Sequence, residues 1–432
     1  MEAEFSAALL QQKEKHMKFT LGYAKEEITF TLDDKNLAAV ITPNPLDVPI
    51  GGRAEVERSL REPIGAPHLG EVVKPGEKVV IITSDITRPV PSYDVIPPIL
   101  DVLSAAGIPD EDITVVFALG SHRKHNEEER IRLVGREVCA RIRCIDFDPA
   151  DTVPMGVSAA GTPYEIFTPV AKADRLICVG NIEFHYFAGY SGGAKAVMPG
   201  VCSRAAIQAN HAMMIREGAE TGRLEGNPVR ADIEDVVRFR PIDYIVNVVL
   251  DEHKKILRSY AGHWLHAHRA GCAFLDTLYK VPIREKADIV IVSVGGYPKD
   301  LNLYQAQKGL DNAKFAVKDG GTVILCASCK EGLGEACFEQ WMTGMAPEER
   351  IAEIRRNFRL GGHKAAAIAL VARQAELCLV SDLEADFVRS LYLTPFGSLD
   401  AALTYAFGKY GEDARITVMP YAGSTLPDYV GE

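Results

Sequence analysis

The chain has 432 residues, of which 47% are hydrophobic and 25% are charged, and its formal net charge at pH 7 is -11. This length exceeds what one ordinary hydrophobic core supports, so we expect two domains. The acidic balance, with no basic tract, argues against nucleic-acid binding. No apolar run reaches the roughly 20 residues that cross a bilayer, and the N-terminus lacks the apolar stretch of a signal peptide. We therefore expect a cytoplasmic protein with no membrane partner.

Six runs rich in β-branched residues are spaced along the chain and end near Gly, Ser, Asp or Asn. They span residues 78–85, 114–121, 175–181, 287–296, 321–328 and 377–382. Continuous apolar runs of this length are typical of strands that are buried on both faces of a parallel sheet. Helical stretches, exemplified by residues 96–107 and 313–319, lie between them, and this alternation predicts an α/β fold.

The sequence predicts two α/β domains with mainly parallel sheets and an active-site cleft between them. The first 17 residues are interpreted as an extension that precedes the body of the protein. A link over residues 280–287 suggests the boundary. Residues 1–282 then form a domain that anchors the catalytic residues, and residues 283–415 form one that contributes substrate-binding residues. The tail, about residues 416–432, is expected to pack back on the first domain.

The nine cysteines are scattered and odd in number, which argues against the disulfide framework of a secreted protein. Cys326 and Cys329 form a CxxC pair, and Cys337 follows. A structural zinc site needs a second pair of cysteines or histidines at a matching spacing, which the sequence lacks. We therefore expect Cys326 to end a buried strand rather than to bind zinc.

Polar or glycine residues follow four of the predicted strands. These groups are Ser84–Asp85, Gly120–His122, Asn181–His185 and Gly295–Gly296. In open α/β sheets, ligands bind beyond the carboxyl ends of the strands. Four strand ends of this kind therefore predict a shared cleft.

The segment His185–His211 carries the strongest functional signal in the chain. Its lysine, Lys195, follows Gly192 and Gly193. Glycines permit positive φ and let a ligand approach the backbone, so the lysine can serve as a phosphate-binding cation or as a nucleophile. The histidines at the two ends offer proton transfer or metal ligation near neutral pH. Most glycine-rich loops with one lysine only bind phosphate, and the two histidines distinguish this one.

Two earlier segments add candidates. In SDITRP, which follows a strand, Asp85 can orient a histidine and the planar guanidinium of Arg88 can hold a carboxylate or a phosphate. The alternative for this segment is a helix cap with a surface arginine. In ALGSHRKH, His122 lies just past a strand end and is the stronger candidate, whereas His125 is expected to be solvated on a first helical turn.

Two later segments offer cationic side chains. A predicted helix carries Tyr304, Gln305 and Lys308, and Tyr304 shares a face with Lys308. The ammonium of Lys308 and the amide of Gln305 could bind a carboxylate. The alternative is an ordinary amphipathic helix. In LGGHK, His363 and Lys364 begin a helix whose N-terminus attracts anions. The other histidines are expected to be structural or at the surface: His263, His266, His268, His16, His68 and His253.

Together these segments resemble the nickel-pincer lactate racemase family, from about Phe19 to Pro427. The motifs that carry the resemblance are SDITRP at 84–89, ALGSH at 118–122, HYFAGYSGGAKAVMPG at 185–200, QANH at 208–211, GNPVR at 226–230, GGYPKDLNLYQAQK at 295–308 and LGGHKAAA at 360–367. Several long motifs in the same order are more specific than any one of them.

The resemblance implies a nickel-pincer nucleotide, a nickel pyridinium-3-thioamide-5-thiocarboxylic acid mononucleotide, attached covalently at Lys195. It also implies that His211 completes the nickel coordination and that His122 and His185 form an acid/base pair. The further residues implied at the cofactor are Asp85, Thr87, Arg88, Gly192 and Gly193. Those implied at the substrate are Arg88, Tyr304, Gln305, Lys308 and Phe187. Cofactor-synthesis enzymes are implied partners.

The implied reaction inverts C2 of a 2-hydroxy acid, with lactate as the default substrate. The Cα–H of such an acid is too weakly acidic for simple deprotonation by histidine. Hydride therefore leaves while a base takes the hydroxyl proton, which gives a planar 2-keto acid. Two histidines are suited to take and return that proton, one for each enantiomer. Arg88 and Lys308 hold the carboxylate while the keto acid reorients, and the cofactor carries the redox step.

Three alternatives stay open. One is a larger 2-hydroxy acid, such as malate, an aromatic acid or a sugar acid, although Phe187 favours a small side chain. Another is a nucleotide-binding or carrier protein without catalysis, which needs only Lys195 and His211. The third is a zinc hydrolase that uses His122, His185 and His211, and it leaves Lys195 without a role.

Overall fold

The computed structural model describes residues 16–45, 48–49, 51–87, 90–251 and 253–431. The chain forms two compact units. The central unit is Pro45–Leu278, and the terminal unit combines the chain up to Asn44 with the chain from Tyr279 onward. Two predictions fall outside the described residues: the role of Arg88, and residues 1–15 of the N-terminal extension.

The strands, in chain order, are β1 (His16–Tyr23), β2 (Glu26–Asp33), β3 (Leu37–Val40), β4 (Val79–Ser84), β5 (Ile113–Ala118), β6 (Arg143–Asp146), β7 (Thr152–Val157), β8 (Pro163–Phe167), β9 (Arg175–Asn181), β10 (Phe184–His185), β11 (Gly189–Tyr190), β12 (Tyr244–Leu250), β13 (Ile256–Gly262), β14 (Lys280–Ile283), β15 (Ala287–Ser293), β16 (Val317–Cys326), β17 (Glu376–Val380), β18 (Thr394–Phe396), β19 (Ile416–Met419) and β20 (Leu426–Tyr429).

The α-helices are α1 (Gly52–Arg61), α2 (Leu69–Val72), α3 (Ser92–Ala105), α4 (Glu127–Val134), α5 (Arg136–Arg141), α6 (Thr168–Ala171), α7 (Arg204–His211), α8 (Pro228–Asp235), α9 (His266–Tyr279), α10 (Leu303–Ala313), α11 (Ala336–Gly344), α12 (Pro347–Arg356), α13 (Gly362–Ala372), α14 (Ala385–Ser390) and α15 (Leu399–Tyr410). Short 3-10 turns cover Asp34–Asn36, Asp110–Asp112, Gly193–Ala196, Ala212–Ile215 and Val236–Arg238. Of the helices in the described residues, none combines the length and the apolar character that a membrane span requires.

The central unit is built on a six-stranded sheet in the order β13-β12-β9-β4-β5-β6. The β12–β13 pair is antiparallel, and the other neighbouring strands run parallel. The side chains of β4 and β12 are buried along nearly their whole length, as expected of strands covered on both faces. The carboxyl ends of β4, β5 and β9 therefore meet at one edge of the sheet, where the candidate catalytic residues follow.

The terminal unit contains a second six-stranded sheet, in the order β18-β17-β16-β15-β19-β3, and all its strands run parallel. The β1–β2 hairpin supplies Phe19 and Leu21 to a buried cluster that also contains Ile289 and Ile324 of the sheet. A separate parallel pair joins β14 to β20. The terminal unit thus has its own hydrophobic core.

The predicted α/β fold with mainly parallel sheets is confirmed. Each of the six predicted strands belongs to one of the two large sheets, and Cys326 ends β16 with 0% exposure. The helix predicted over residues 313–319 is wrong, because α10 ends at Ala313 and β16 begins at Val317. Val317 pairs in register with Ala287, so pairing with β15 outweighs the helix-compatible local pattern.

The two units group the chain differently from the predicted domains 1–282 and 283–415. β3 is an edge strand of the terminal sheet and pairs in parallel with β19, so the chain before Asn44 joins the C-terminal half. β19 itself lies between β15 and β3, so the tail from Ile416 completes the terminal sheet. The pairing of β3 with β19 cannot be predicted from the residues of either strand, because the two strands are far apart in sequence.

Candidate active site

Asp85, Thr87 and His122 meet at the carboxyl ends of two neighbouring parallel strands, β4 and β5. Nδ1 of His122 lies 2.5 Å from Oδ2 of Asp85, which is 4% exposed. The Thr87 hydroxyl donates to Asp85 Oδ1 at 2.9 Å and lies 3.1 Å from His122 Nδ1. Because a carboxylate only accepts, the contact places the imidazole proton on Nδ1 of His122 and the lone pair on Nε2.

His125 lies behind this pair, and the prediction that it is solvated is wrong. Its side chain is buried, with Nδ1 2.8 Å from Asp146 Oδ1 and the ring edge-on to Phe117. Nε2 accepts a hydrogen bond from the backbone N–H of Ile86 at 3.1 Å. His125 therefore holds the backbone next to Asp85. The sequence pattern missed this role because a buried partner such as Asp146 cannot be recognised from spacing.

His185 and His211 both pack edge-on against Phe187. The ring centroid of Phe187 lies 4.6 Å from that of His185 and 5.0 Å from that of His211. Phe187 is 3% exposed, so this contact is part of the packed interior. His185 belongs to the β10–β11 hairpin and His211 ends α7, so the fold brings together the two ends of the glycine-rich segment.

The ring of His185 is held differently from that of His122. Its Nδ1 accepts a hydrogen bond from the backbone N–H of Ala188 at 3.3 Å. In the neutral ring the proton then lies on Nε2. At their Nε2 atoms, His122 therefore presents an acceptor and His185 presents a donor.

Lys195 lies on a 3-10 turn that follows two glycines with positive φ, Gly192 at 77° and Gly193 at 62°. The N–H of Gly193 donates to Oδ1 of Asn247 at 2.7 Å. Behind the turn, Nε2 of His268 donates to the carbonyl of Ser191 at 2.8 Å. Two buried polar side chains, from β12 and α9, thus hold the loop that carries the lysine.

His268 is a structural residue, as predicted, but it is fully enclosed and lies next to the Lys195 loop. It is 1% exposed, and burial lowers its pKa well below the usual range, helped by the nearby charges of Arg230, Arg269 and Lys195. The ring is therefore neutral. Its Nδ1 accepts from Arg269 at 3.1 Å, which is consistent with a proton on Nε2.

The strand end that carries His122 is tied to the loop that carries Lys195. The N–H of Gly120 donates to the carbonyl of Gly200 at 2.9 Å. A Cβ at Gly200 would lie 2.8 Å from the Cβ of Ala118, so only a glycine allows this approach. The end of β5 and the His185–His211 segment therefore lie next to each other in the central unit.

The motif GNPVR holds the backbone around Phe187. Nδ2 of Asn227 donates to the Phe187 carbonyl at 2.9 Å. The guanidinium of Arg230, 1% exposed, donates to the carbonyl of Ala188 at 3.1 Å and to that of Tyr190. These bonds satisfy carbonyl groups in an irregular buried segment, where unpaired groups are costly.

The three candidate residues of the terminal unit lie on α10. Gln305 and Lys308 are exposed, whereas Tyr304 is half-buried. Nζ of Lys364 donates to the Tyr304 carbonyl at 2.6 Å and lies 3.6 Å from the centre of its ring. The anion-binding candidate Lys364 is thus committed to Tyr304, and Nδ1 of His363 accepts from the N–H of Gly361 at 3.0 Å.

Comparison with known proteins agrees with the motifs. A family model described as the lactate racemase N-terminal domain matches residues 23–222, and one described as the lactate racemase C-terminal domain matches residues 283–426. A lactate racemase from Lactiplantibacillus plantarum is 35% identical over 413 residues, which are 93% of this chain and 97% of that protein. The chain belongs to the lactate racemase family.

Other members of the lactate racemase family support the assignment. A lactate racemase from Thermoanaerobacterium thermosaccharolyticum is 32% identical over 419 residues, 94% of this chain and 98% of that protein. The solved structure of the lactate racemase apoprotein from that organism matches with a TM-score of 0.85 and 31% identity, and covers 95% of this chain and all of that chain. The predicted family and the predicted isomerase class are confirmed.

Protein side chains alone do not form a metal site in the described part of this family member. No group of three or more His, Cys, Asp or Glu side chains there is placed to hold a metal ion. Burial raises the pKa of Cys326 and of Cys329 to about 12, so both are thiols at neutral pH.

Proposed function

We propose that this chain inverts C2 of a 2-hydroxy acid, with lactate as the first candidate, by using a nickel-pincer nucleotide attached at Lys195. The observation that carries the proposal is that the end of β5, which precedes His122, is hydrogen-bonded to the segment that contains Lys195, His185 and His211. His122 is held by Asp85, and the other two histidines pack against one phenylalanine.

The central unit offers groups that fit such a nucleotide. Lys195 supplies an amine at a tight glycine turn, where a Cβ at Gly192 would lie 2.8 Å from Asn247 Oδ1 and one at Gly193 would lie 3.0 Å from the His268 ring. His211 supplies an imidazole, which suits nickel together with soft sulfur donors. Since the described side chains form no complete metal site, the nucleotide is the expected source of the remaining donors. When bound, it supplies the acceptance and return of hydride.

The protein's own contribution is proton transfer. Nε2 of His122 carries the lone pair that takes the hydroxyl proton of one enantiomer, and Asp85 with Thr87 keeps the ring in place. His185 offers an N–H at the corresponding atom and serves the other enantiomer. In each inversion the neutral imidazole of one histidine takes the hydroxyl proton and the imidazolium of the other returns one, so the pair carries one extra proton that changes place with each turnover.

Substrate recognition is assigned to residues of two motifs, SDITRP and GGYPKDLNLYQAQK. The motif resemblance gives Arg88, Tyr304, Gln305 and Lys308 contacts with the acid, the two cations binding its carboxylate. Lys364 donates to the Tyr304 carbonyl and lies over the Tyr304 ring, and these two contacts restrict the position of the ring. Phe187 packs edge-on against His185 and His211 and would give the substrate an apolar wall, which favours a small side chain and lactate over larger acids.

The proposal places the enzyme in the cytoplasm. All nine cysteines are free, and free thiols persist in a reducing compartment. Activation there requires the cofactor-synthesis enzymes as partners.

The test is to coexpress the chain with the cofactor-synthesis enzymes and to analyse the purified protein by peptide mass spectrometry. The peptide that contains Lys195 should gain the mass of the nucleotide, and chiral chromatography should show inversion of lactate within a panel of 2-hydroxy acids. His122→Ala and His185→Ala should abolish inversion without preventing attachment, whereas the surface variant His253→Ala should retain both. Inversion by a protein with unmodified Lys195 would reject the mechanism, and inversion of larger acids only would reject lactate.

A further inference from the structure

Asn210 precedes His211 on α7 and is fully buried, with 0% of its surface exposed. Its Nδ2 lies 2.8 Å from Oδ2 of Asp232 and 3.2 Å from the carbonyl oxygen of Val229. Its Oδ1 lies 2.9 Å from Nδ1 of His211. The amide of Asn210 therefore connects α8 to the ring of His211.

These partners decide which way the amide faces. A carboxylate and a carbonyl oxygen accept hydrogen bonds but cannot donate them, so the amide nitrogen must face Asp232 and Val229. The amide oxygen then faces His211. Because this oxygen also only accepts, the proton in the contact belongs to Nδ1 of His211. In the neutral ring, Nε2 carries the lone pair.

Asp232 is itself held in place. It is 3% exposed, and its carboxylate accepts hydrogen bonds from the hydroxyls of Ser158 and Thr162, the latter at 2.8 Å. With Nδ2 of Asn210, three donors converge on one buried carboxylate. Turning the Asn210 amide around would set its oxygen against the carboxylate and leave buried groups unsatisfied, which is costly.

We infer that Asp232, acting through Asn210, is a positioning residue that holds His211 in the Nδ1–H tautomer and so presents Nε2 as the metal ligand. The inference rests on the proposed function, which takes His211 as a nickel ligand. A neutral imidazole binds a metal through the nitrogen without a proton, and the hydrogen bond at the other nitrogen selects it. Asn210 and Asp232 act on the metal site only through this ring.

The test is nitrogen-15 NMR of the apoprotein labelled at histidine, at a pH well above the usual imidazole pKa of about 6.5. Long-range correlations distinguish the two tautomers, and loss of a signal in His211→Gln assigns the ring. Wild type should show the Nδ1–H form. Asp232→Asn offers a donor to Asn210 and lets its amide turn, so His211 should gain the Nε2–H form. Asn210→Leu removes the acceptor and should have the same effect.

Asn312→Leu is the matched control, because it removes a buried amide of the terminal unit whose Nδ2 donates to the Ala422 carbonyl at 2.7 Å. It should leave the His211 signals unchanged. A wild-type ring in the Nε2–H form, or an unchanged Nδ1–H form in folded Asp232→Asn, would overturn the inference. Because the spectra are recorded without the nucleotide, failure of Lys195 to gain the cofactor would reject the proposed function and leave the tautomer result standing.

Discussion

The hydrogen bond from Gly193 to Asn247 is expected to hold the Lys195 loop, and Asn247→Leu tests this expectation. Asn247 is 1% exposed on β12, and its Oδ1 accepts from the Gly193 N–H at 2.7 Å. Leucine has a similar size but offers no acceptor. The substitution therefore leaves a buried N–H without its partner while it largely preserves the packing of the strand.

An unsatisfied buried donor costs about 1–3 kcal/mol. Since about 1.4 kcal/mol corresponds to a factor of ten, the unfolding equilibrium constant of the central unit should rise about 5- to 150-fold. Gly192 and Gly193 adopt positive φ, at 77° and 62°, so the loop relies on tertiary contacts rather than on a regular ladder of hydrogen bonds. We expect the cost to appear mainly as local opening of this loop.

The assay combines urea unfolding with hydrogen exchange of the apoprotein, read by mass spectrometry over residues 189–200. Asn247→Leu should lower the free energy of unfolding, speed exchange in this segment and reduce the yield of nucleotide attachment at Lys195. Asn312→Leu, a buried asparagine of the terminal unit, should lower stability without changing exchange in the segment. Wild-type exchange and wild-type attachment in Asn247→Leu would refute the reasoning.

Three further outcomes follow from the same geometry. Asp85→Asn should lower kcat of the loaded enzyme by about 10²–10⁴-fold in a chiral lactate assay, by analogy with the loss of a carboxylate that orients a catalytic histidine, and an unchanged kcat would contradict the role given to the His122 contact. Gly192→Ala should cost about 1–3 kcal/mol in urea unfolding, because φ is 77° and the new Cβ would lie 2.8 Å from a side-chain oxygen. Burial lowers the folded-state pKa of His268, so the folded protein binds fewer protons than the unfolded chain below a pH of about 6.5. Wild-type stability should therefore fall as the pH drops below that value, by up to about 1.4 kcal/mol per pH unit, and His268→Gln should remove this component whereas the surface variant His253→Gln should not.

Much of the architecture could be predicted because the strands are strongly patterned. Strands covered on both faces, such as β4 and β9, consist of nearly continuous apolar residues, and the parallel sheet needs this pattern. The motifs also located the residues that the structure brings together: Asp85 with His122, and His185 with His211 around Phe187. The turn at Lys195 could be recognised from Gly192 and Gly193, because glycine adopts positive φ at low cost.

The residues that hold the site could not be predicted from local pattern. The sequence predicts that His125 is solvated on a first helical turn, yet its side chain is buried against Asp146 and Phe117. Asn247 lies in an apolar strand and Asp232 lies in a helix. Their neighbours in sequence give no sign that either residue supports the candidate site. The supporting role of His125, Asn247 and Asp232 is recognised only from their hydrogen-bond partners, which lie on other elements of the central unit.

The sequence by itself determined the strands, the glycine turn at Lys195 and the family, because apolar periodicity, glycine conformation and long ordered motifs are local properties of the chain. Only the tertiary structure decided that β3 and β19 complete the terminal sheet, that His125 is buried, and that Asn210 faces His211 with its oxygen. Strand pairing, burial and the direction of a hydrogen bond depend on atoms that are distant in sequence, so they are defined only when the chain has folded.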